Sequence, residues 1–134
     1  MLDLSMHYGQ GPIFLKDIAR RQDISEKYLG QIMIPLKNVR LVLSTRGARG
    51  GYTLAREPAS ITLKEVLEAV EGDLSLVECV SNPDFCPKSD SCINRDVWVK
   101  LSEDMIHTLE SITLAQLIEK QNGKQIDDVS FYCI

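Results

Sequence analysis

Arg46-Gly47-Ala48-Arg49-Gly50-Gly51-Tyr52 constrains this chain more than any other segment. It lies between two short apolar runs, Leu41-Val42-Leu43 and Tyr52-Thr53-Leu54. That layout predicts a two-stranded ribbon with a glycine-rich tip bearing two arginines. Glycine permits positive φ and lets the backbone approach a partner closely. Arginine at such a tip suits phosphate or groove contact. Taken alone, a hairpin with merely solvated arginines fits as well, and the flanking sequence has to decide.

Upstream, Leu2, Leu4, Met6 and Tyr8 suggest a first helix that stops at Gly9-Gln10-Gly11-Pro12. A second helix is predicted from Leu15 to Gln22, with Ile18 and Ala19 inward. Asp23-Ile24-Ser25 is then a turn. Ser25 can cap the next helix, and Glu26 suits its first turn. Tyr28, Leu29, Ile32, Met33 and Leu36 recur along that helix, while Pro35 should distort it or mark its last turn. Helix, turn, helix and ribbon together predict a winged helix-turn-helix.

Charge agrees with a reader of DNA. Residues 1–56 hold nine Lys or Arg against four Asp or Glu, a balance of +5; residues 57–134 hold six against fifteen, a balance of −9. A basic front attracts phosphate while the acidic rear does not. The second helix of such a motif lies in the major groove, with its N-terminal residues at the base edges. Gln31 is the candidate base reader, because an amide pairs both donor and acceptor with adenine. Lys27 and Tyr28 suit phosphates, and Arg46 and Arg49 the minor groove or its phosphates. The candidate DNA-binding set is Ser25, Lys27, Tyr28, Gln31, Lys37, Arg46, Gly47 and Arg49.

After the ribbon, Glu57-Pro58-Ala59-Ser60 reads as a turn. Thr62 and Glu65 form a capping box for a helix that stops at Gly72. Residues 73–92 read as a loop. A long helix is predicted from Ile93, with Val97, Leu101, Met105, Leu109 and Ile112 at near-heptad spacing. Thr113 and Gln116 form a second capping box, for a short final helix that Asn122-Gly123 should end. The apolar ending Phe131-Tyr132-Cys133-Ile134 is expected to dock. No apolar run reaches membrane-span length and no signal-peptide pattern opens the chain, so cytoplasmic residence is the expectation.

Three of the four cysteines, Cys79, Cys86 and Cys92, fall in the loop, with six and then five residues between them. Clustered cysteines of this kind ligate metal or do redox chemistry. The close pairs of a structural zinc site are absent, whereas an iron–sulfur cluster tolerates wider spacing. Spacing alone leaves cluster, zinc and plain thiol open. Catalysis has little support: His7 and His107 sit in helical patterns, no nucleophile motif is present, and no Gly-Lys-Ser/Thr follows the ribbon glycines. The chain is not expected to be an enzyme.

Leu15-Lys16-Asp17-Ile18-Ala19, Ile24-Ser25-Glu26-Lys27-Tyr28-Leu29, Pro35-Leu36-Lys37, the Arg46–Tyr52 ribbon tip and Ile61-Thr62-Leu63-Lys64-Glu65-Val66 carry a resemblance over nearly the whole length. It continues through the three cysteines and Ser111-Ile112-Thr113-Leu114. The chain resembles the IscR-type bacterial transcription regulators of the Rrf-two superfamily. The resemblance implies a homodimer on double-stranded DNA with a partly palindromic operator, acting as a repressor, with the long helix after Cys92 as the dimerisation helix. It implies that Cys79, Cys86 and Cys92 hold an iron–sulfur cluster, 2Fe–2S in preference to 4Fe–4S, whose state tunes DNA binding.

Two departures follow. Such regulators usually begin with a short basic segment ahead of the helix that here starts at Met1, and its absence suggests a truncated chain, a wrong start or residues outside this sequence. Members with a histidine ligand place it three residues after the last cysteine, where this chain has Arg95. The fourth ligand is then a residue of the missing segment, a partner-subunit residue or a small thiol. The ending Ser130 to Ile134 is closer to the cysteine-metabolism branch, which senses through a protein partner. The expected fold is mainly α with a small β-hairpin wing. The expected divisions are 1–72 (winged helix-turn-helix), 73–92 (cysteine loop) and 93–134 (dimerisation helix and tail).

Overall fold

A short helix, α1 (Leu2–Met6), precedes the helix-turn-helix formed by α2 (Leu15–Gln22) and α3 (Glu26–Asn38). The wing is a hairpin of β1 (Val42–Thr45) and β2 (Gly51–Leu54), paired antiparallel from Val42 opposite Leu54 to Thr45 opposite Gly51. A 3-10 turn at Pro58–Ser60 leads to α4 (Leu63–Glu71). Then come α5 (Glu78–Ser81), 3-10 turns at Pro83–Phe85 and Ser89–Ser91, α6 (Ile93–Glu110) and α7 (Leu114–Phe131). This computed structural model describes the backbone of residues 1–131 and the side chains of residues 1–124.

Both helices of the motif end alike. After α2, the Ile24 amide reaches back to the Ala19 carbonyl oxygen at 3.0 Å, with Asp23 left-handed at φ 52. After α3, the Leu41 amide bonds the Leu36 oxygen at 2.9 Å and the Arg40 amide bonds that of Lys37 at 3.0 Å, with Arg40 at φ 58. These are Schellman endings, and in each a side-chain-bearing residue takes the position usually given to glycine. They turn the chain sharply and let Leu36 and Leu41, both buried, pack together. Pro35 sits in the last turn of α3 and does not end the helix, which runs on to Asn38.

One core gathers Leu4, Ile18, Leu29, Met33 and Leu36 with Leu41, Val42 and Leu54 at the base of the wing. Each such side chain contributes roughly 1.5–3 kcal/mol by leaving water. Ile61 and Leu114 complete it, joined by an antiparallel bridge between Thr62 and Thr113. Residues of the 1–72 and 93–134 divisions therefore share a core, and α7 also packs on α1. Asp3, 3 % exposed, takes a two-pronged bond from Arg21, Nε to Oδ2 at 2.8 Å and Nη2 to Oδ1 at 2.6 Å, which ties α1 to α2.

Three local expectations are corrected. Tyr8 lies in the turn after α1 rather than in the helix. Residues 73–92 hold three short helical turns rather than an unstructured loop. Asn122-Gly123 does not end the last helix: α7 continues through it, and Gly123 lacks the positive φ of a helix stop. A glycine inside a helix costs only about 1 kcal/mol, which the neighbouring turns can absorb. The tail Phe131-Tyr132-Cys133-Ile134, expected to dock, lies outside the residues whose side chains are described.

Candidate DNA interface and cysteine loop

The α3 helix begins where its sequence says it should. The Ser25 hydroxyl accepts the Tyr28 amide at 3.1 Å, which fixes the helix start and so the direction of its first turn. Leu29, Met33 and Leu36 turn inward. At about 100° per residue, Lys27, Gln31, Ile34 and Asn38 fall on one stripe about 60° wide, opposite that core face. All four are exposed. Tyr28 and Lys37 lie on either flank of the stripe, also exposed.

The wing is positioned by backbone rather than side chains. Ile13 and Tyr52 exchange both amide bonds, at 3.0 and 2.8 Å, so the segment before α2 adds a bridge to β2. Gly51, at φ 140, lies so close to Ile13 that any Cβ there would strike the Ile13 backbone. A Cβ at Gly50 would likewise strike the Thr45 carbonyl oxygen. Gly47, at φ 107, opens the tip, and its carbonyl oxygen accepts the Gly50 amide at 3.0 Å. Arg46 and Arg49 lie at this tip, both exposed.

The basic front is unevenly available. Of its nine cations, Arg20 pairs with Asp17 at 3.1 Å, Arg21 with Asp3 at 2.6 Å and Arg56 with Glu65 at 2.6 Å. Among the described residues, Lys16, Lys27, Lys37, Arg40, Arg46 and Arg49 form no ion pair, and all are exposed. Sequence reasoning assigned four of these to DNA and passed over Lys16 and Arg40. Arg40 carried no glycine-like signal of its left-handed turn, and it sits, exposed, in the link between α3 and the wing.

Cys79 lies in α5, Cys86 just after the Pro83–Phe85 turn and Cys92 at the start of α6. All three are free thiols and half-buried. The segment is fastened to α6 at two points. Arg95 Nε donates to the Cys79 carbonyl oxygen at 2.9 Å, and the Ser102 hydroxyl accepts the Leu76 amide at 3.3 Å. Three thiols in one segment suit iron by residue type. Their placement does not: among the described residues no three His, Cys, Asp or Glu side chains converge into a ligand set. As arranged, the segment is not a ready-made site for a metal or cluster.

The Rrf2 model, described as an iron-dependent transcriptional regulator, matches residues 1–120. The transcriptional regulator CymR of Bacillus subtilis is 36% identical over 125 residues, covering 93% of this chain and 86% of that one. Its solved structure, that of the global cysteine regulator of that organism, superposes with a TM-score of 0.73 at 35% identity, over 89% and 87% of the two chains. IscR of Yersinia enterocolitica is 36% identical over 128 residues, 96% of this chain and 77% of that one. The structure of T. potens IscR gives a TM-score of 0.75 at 37% identity, over 92% and 81%. The mainly helical architecture with a two-stranded wing is that of these regulators. Among the described residues, no helix is long and apolar enough to cross a membrane.

Proposed function

Because the chain belongs to the Rrf2 family of transcriptional regulators, we propose that it is a homodimer that binds a partly palindromic operator as a repressor, controlled through the segment bearing Cys79, Cys86 and Cys92. The observation that carries DNA binding is the pairing of an exposed α3 stripe with six cations on the same half of the chain that form no ion pair among the described residues. Gln31 reads a base edge. Lys27, Tyr28 and Lys37 hold phosphates. Arg46 and Arg49 occupy the minor groove or its phosphates, while Gly47 lets the tip backbone come close. Ser25 fixes the helix that carries them. The cations supply salt-sensitive affinity by releasing counterions.

Dimerisation is assigned to α6. Ile93 (83% exposed), Val97, Trp98 and Leu101 leave large apolar surface uncovered along it, as a helix waiting for a second copy does. The group proposed for the three thiolates is an iron–sulfur cluster, 2Fe–2S in type, and holding it requires Cys79, Cys86 and Cys92 to draw together from the arrangement described above; when bound it would supply a charge sensitive to iron supply and oxidant. Iron–sulfur assembly or a related stress response is the regulon this suggests. Arg95 has no part as a ligand, since its guanidinium is engaged by the Cys79 carbonyl.

A second reading is favoured by the similarity to CymR: a regulator of cysteine metabolism controlled by a protein partner, with the cysteines as redox thiols, which need not converge, or as zinc ligands, which must. Anaerobic purification separates the two. Visible sulfur-to-iron bands with matched iron and sulfide, lost in Cys86→Ala, support the cluster. A colourless, iron-free protein that still binds DNA supports the partner-controlled regulator.

A further inference from the structure

Ile34 is 59% exposed, yet it is a branched aliphatic side chain placed opposite the core face of α3. Its neighbours on the same stripe are Lys27, Gln31 and Asn38, all polar. Helical side chains lean toward the N terminus over the preceding turn. One turn before Ile34 stands Gly30, which offers no side chain to cover it. Folding leaves most of this isoleucine in water, and its β-branch makes it a poorer helix residue than alanine.

We propose that Ile34 reads the C5-methyl group of a thymine in the operator's major groove. The inference rests on the DNA-binding reading above and adds a second specificity determinant beside Gln31. The major-groove floor offers donors, acceptors and one apolar feature, the thymine methyl. A stripe with an amide at Gln31 and an aliphatic group one turn on matches an adenine with a thymine close by. The charge around it fits the same occupant. Lys27, Lys37 and Arg46 are exposed and unpaired among the described residues, which suits a polyanion and repels a basic protein surface.

The test uses the full chain and a duplex selected from a random pool for tight binding. Each thymine is replaced in turn by deoxyuridine, which removes only the methyl group, and Kd is measured for the wild type and Ile34→Ala. Alanine favours the helix, so the variant should fold, and thermal melting checks that it does. At one thymine per half-site, deoxyuridine should weaken the wild type about fourfold, the size of one buried methyl group. In Ile34→Ala that penalty should vanish. Equal deoxyuridine penalties in both proteins at every position overturn the assignment, as does a change of oligomeric state in Ile34→Ala at unchanged DNA affinity, which would place Ile34 in a protein interface. Failure of the wild type to enrich or bind any duplex overturns the DNA-binding reading itself and is recognisable as such.

Discussion

The Arg95 guanidinium and the Cys79 carbonyl oxygen meet at 2.9 Å, joining the first turns of α6 to the helix that carries the first thiol. A charged donor on a half-buried carbonyl is a strong neutral–ionic contact. Arg95→Ala should therefore loosen α5 at a cost of roughly 1 kcal/mol. Amide exchange at Cys79 to Ser81 and alkylation of the Cys79 thiol should both speed up, while the melting of the shared core stays nearly unchanged. Unaltered Cys79 alkylation would mean that the bond does not order this helix.

Asp3 sets an acid limit on the fold. Its hydrogen bonds from Arg21 hold its carboxyl below the usual aspartate range, against the opposing effect of burial. A carboxyl lowered in the folded state stabilises fully above its unfolded value, and that contribution disappears as pH falls through the folded one. Asp3→Asn should cost about 2 kcal/mol at pH 7. The gap between variant and wild type should close progressively below about pH 4. Urea melts at pH 7 and at steps below about pH 4 follow the closing of the gap, and a gap independent of pH would assign the effect to something other than the Asp3 charge.

Arg40→Gly should separate stability from DNA affinity. Left-handed backbone costs a side-chain-bearing residue about 1 kcal/mol that glycine avoids. The variant should melt higher, yet bind DNA more weakly because an exposed cation is gone. A rise in both, or a fall in both, contradicts the placement of Arg40.

Gly51→Ala should be among the most damaging small substitutions. It adds a Cβ against the Ile13 backbone at a φ that side chains rarely adopt. A loss of at least about 2 kcal/mol is expected, read from chemical denaturation. Gly123→Ala, with open space around it and a place inside α7, should be neutral or stabilising.

Arg46→Ala and Gln31→Ala should weaken DNA binding differently. The arginine change should act on every sequence alike and lower the salt slope of log Kd by about one per site. The glutamine change should alter sequence preference. Equal losses on specific and random duplexes for Gln31→Ala would remove it as a reader.

Much of the fold was legible because its signals are local. The bounds of α2, the Ser25 cap, the Thr62–Glu65 box and the start of α6 at Ile93 each follow from a few adjacent residues. What the sequence withheld is long-range or contrary to habit. Nothing near Asp3 announces Arg21, eighteen positions on. Nothing in Val39-Arg40-Leu41 announces a left-handed arginine. The Asn122-Gly123 stop failed because one unfavourable residue cannot end a helix held by its other turns. For the cysteines, spacing nominated the residues but could not say whether their thiols converge, and among the described residues they form no set of three ligands.

The bridge between Ile13 and Tyr52 has a consequence for control. With the wing sewn to the stretch ahead of α2 by two backbone bonds, and its strands sharing a core with α3, the hairpin cannot swing alone. The reading head behaves as a casting rather than a hinge. On the proposed reading, a signal arriving at the cysteines would change where whole heads stand, or how many are engaged, rather than the angle of the wing within one head.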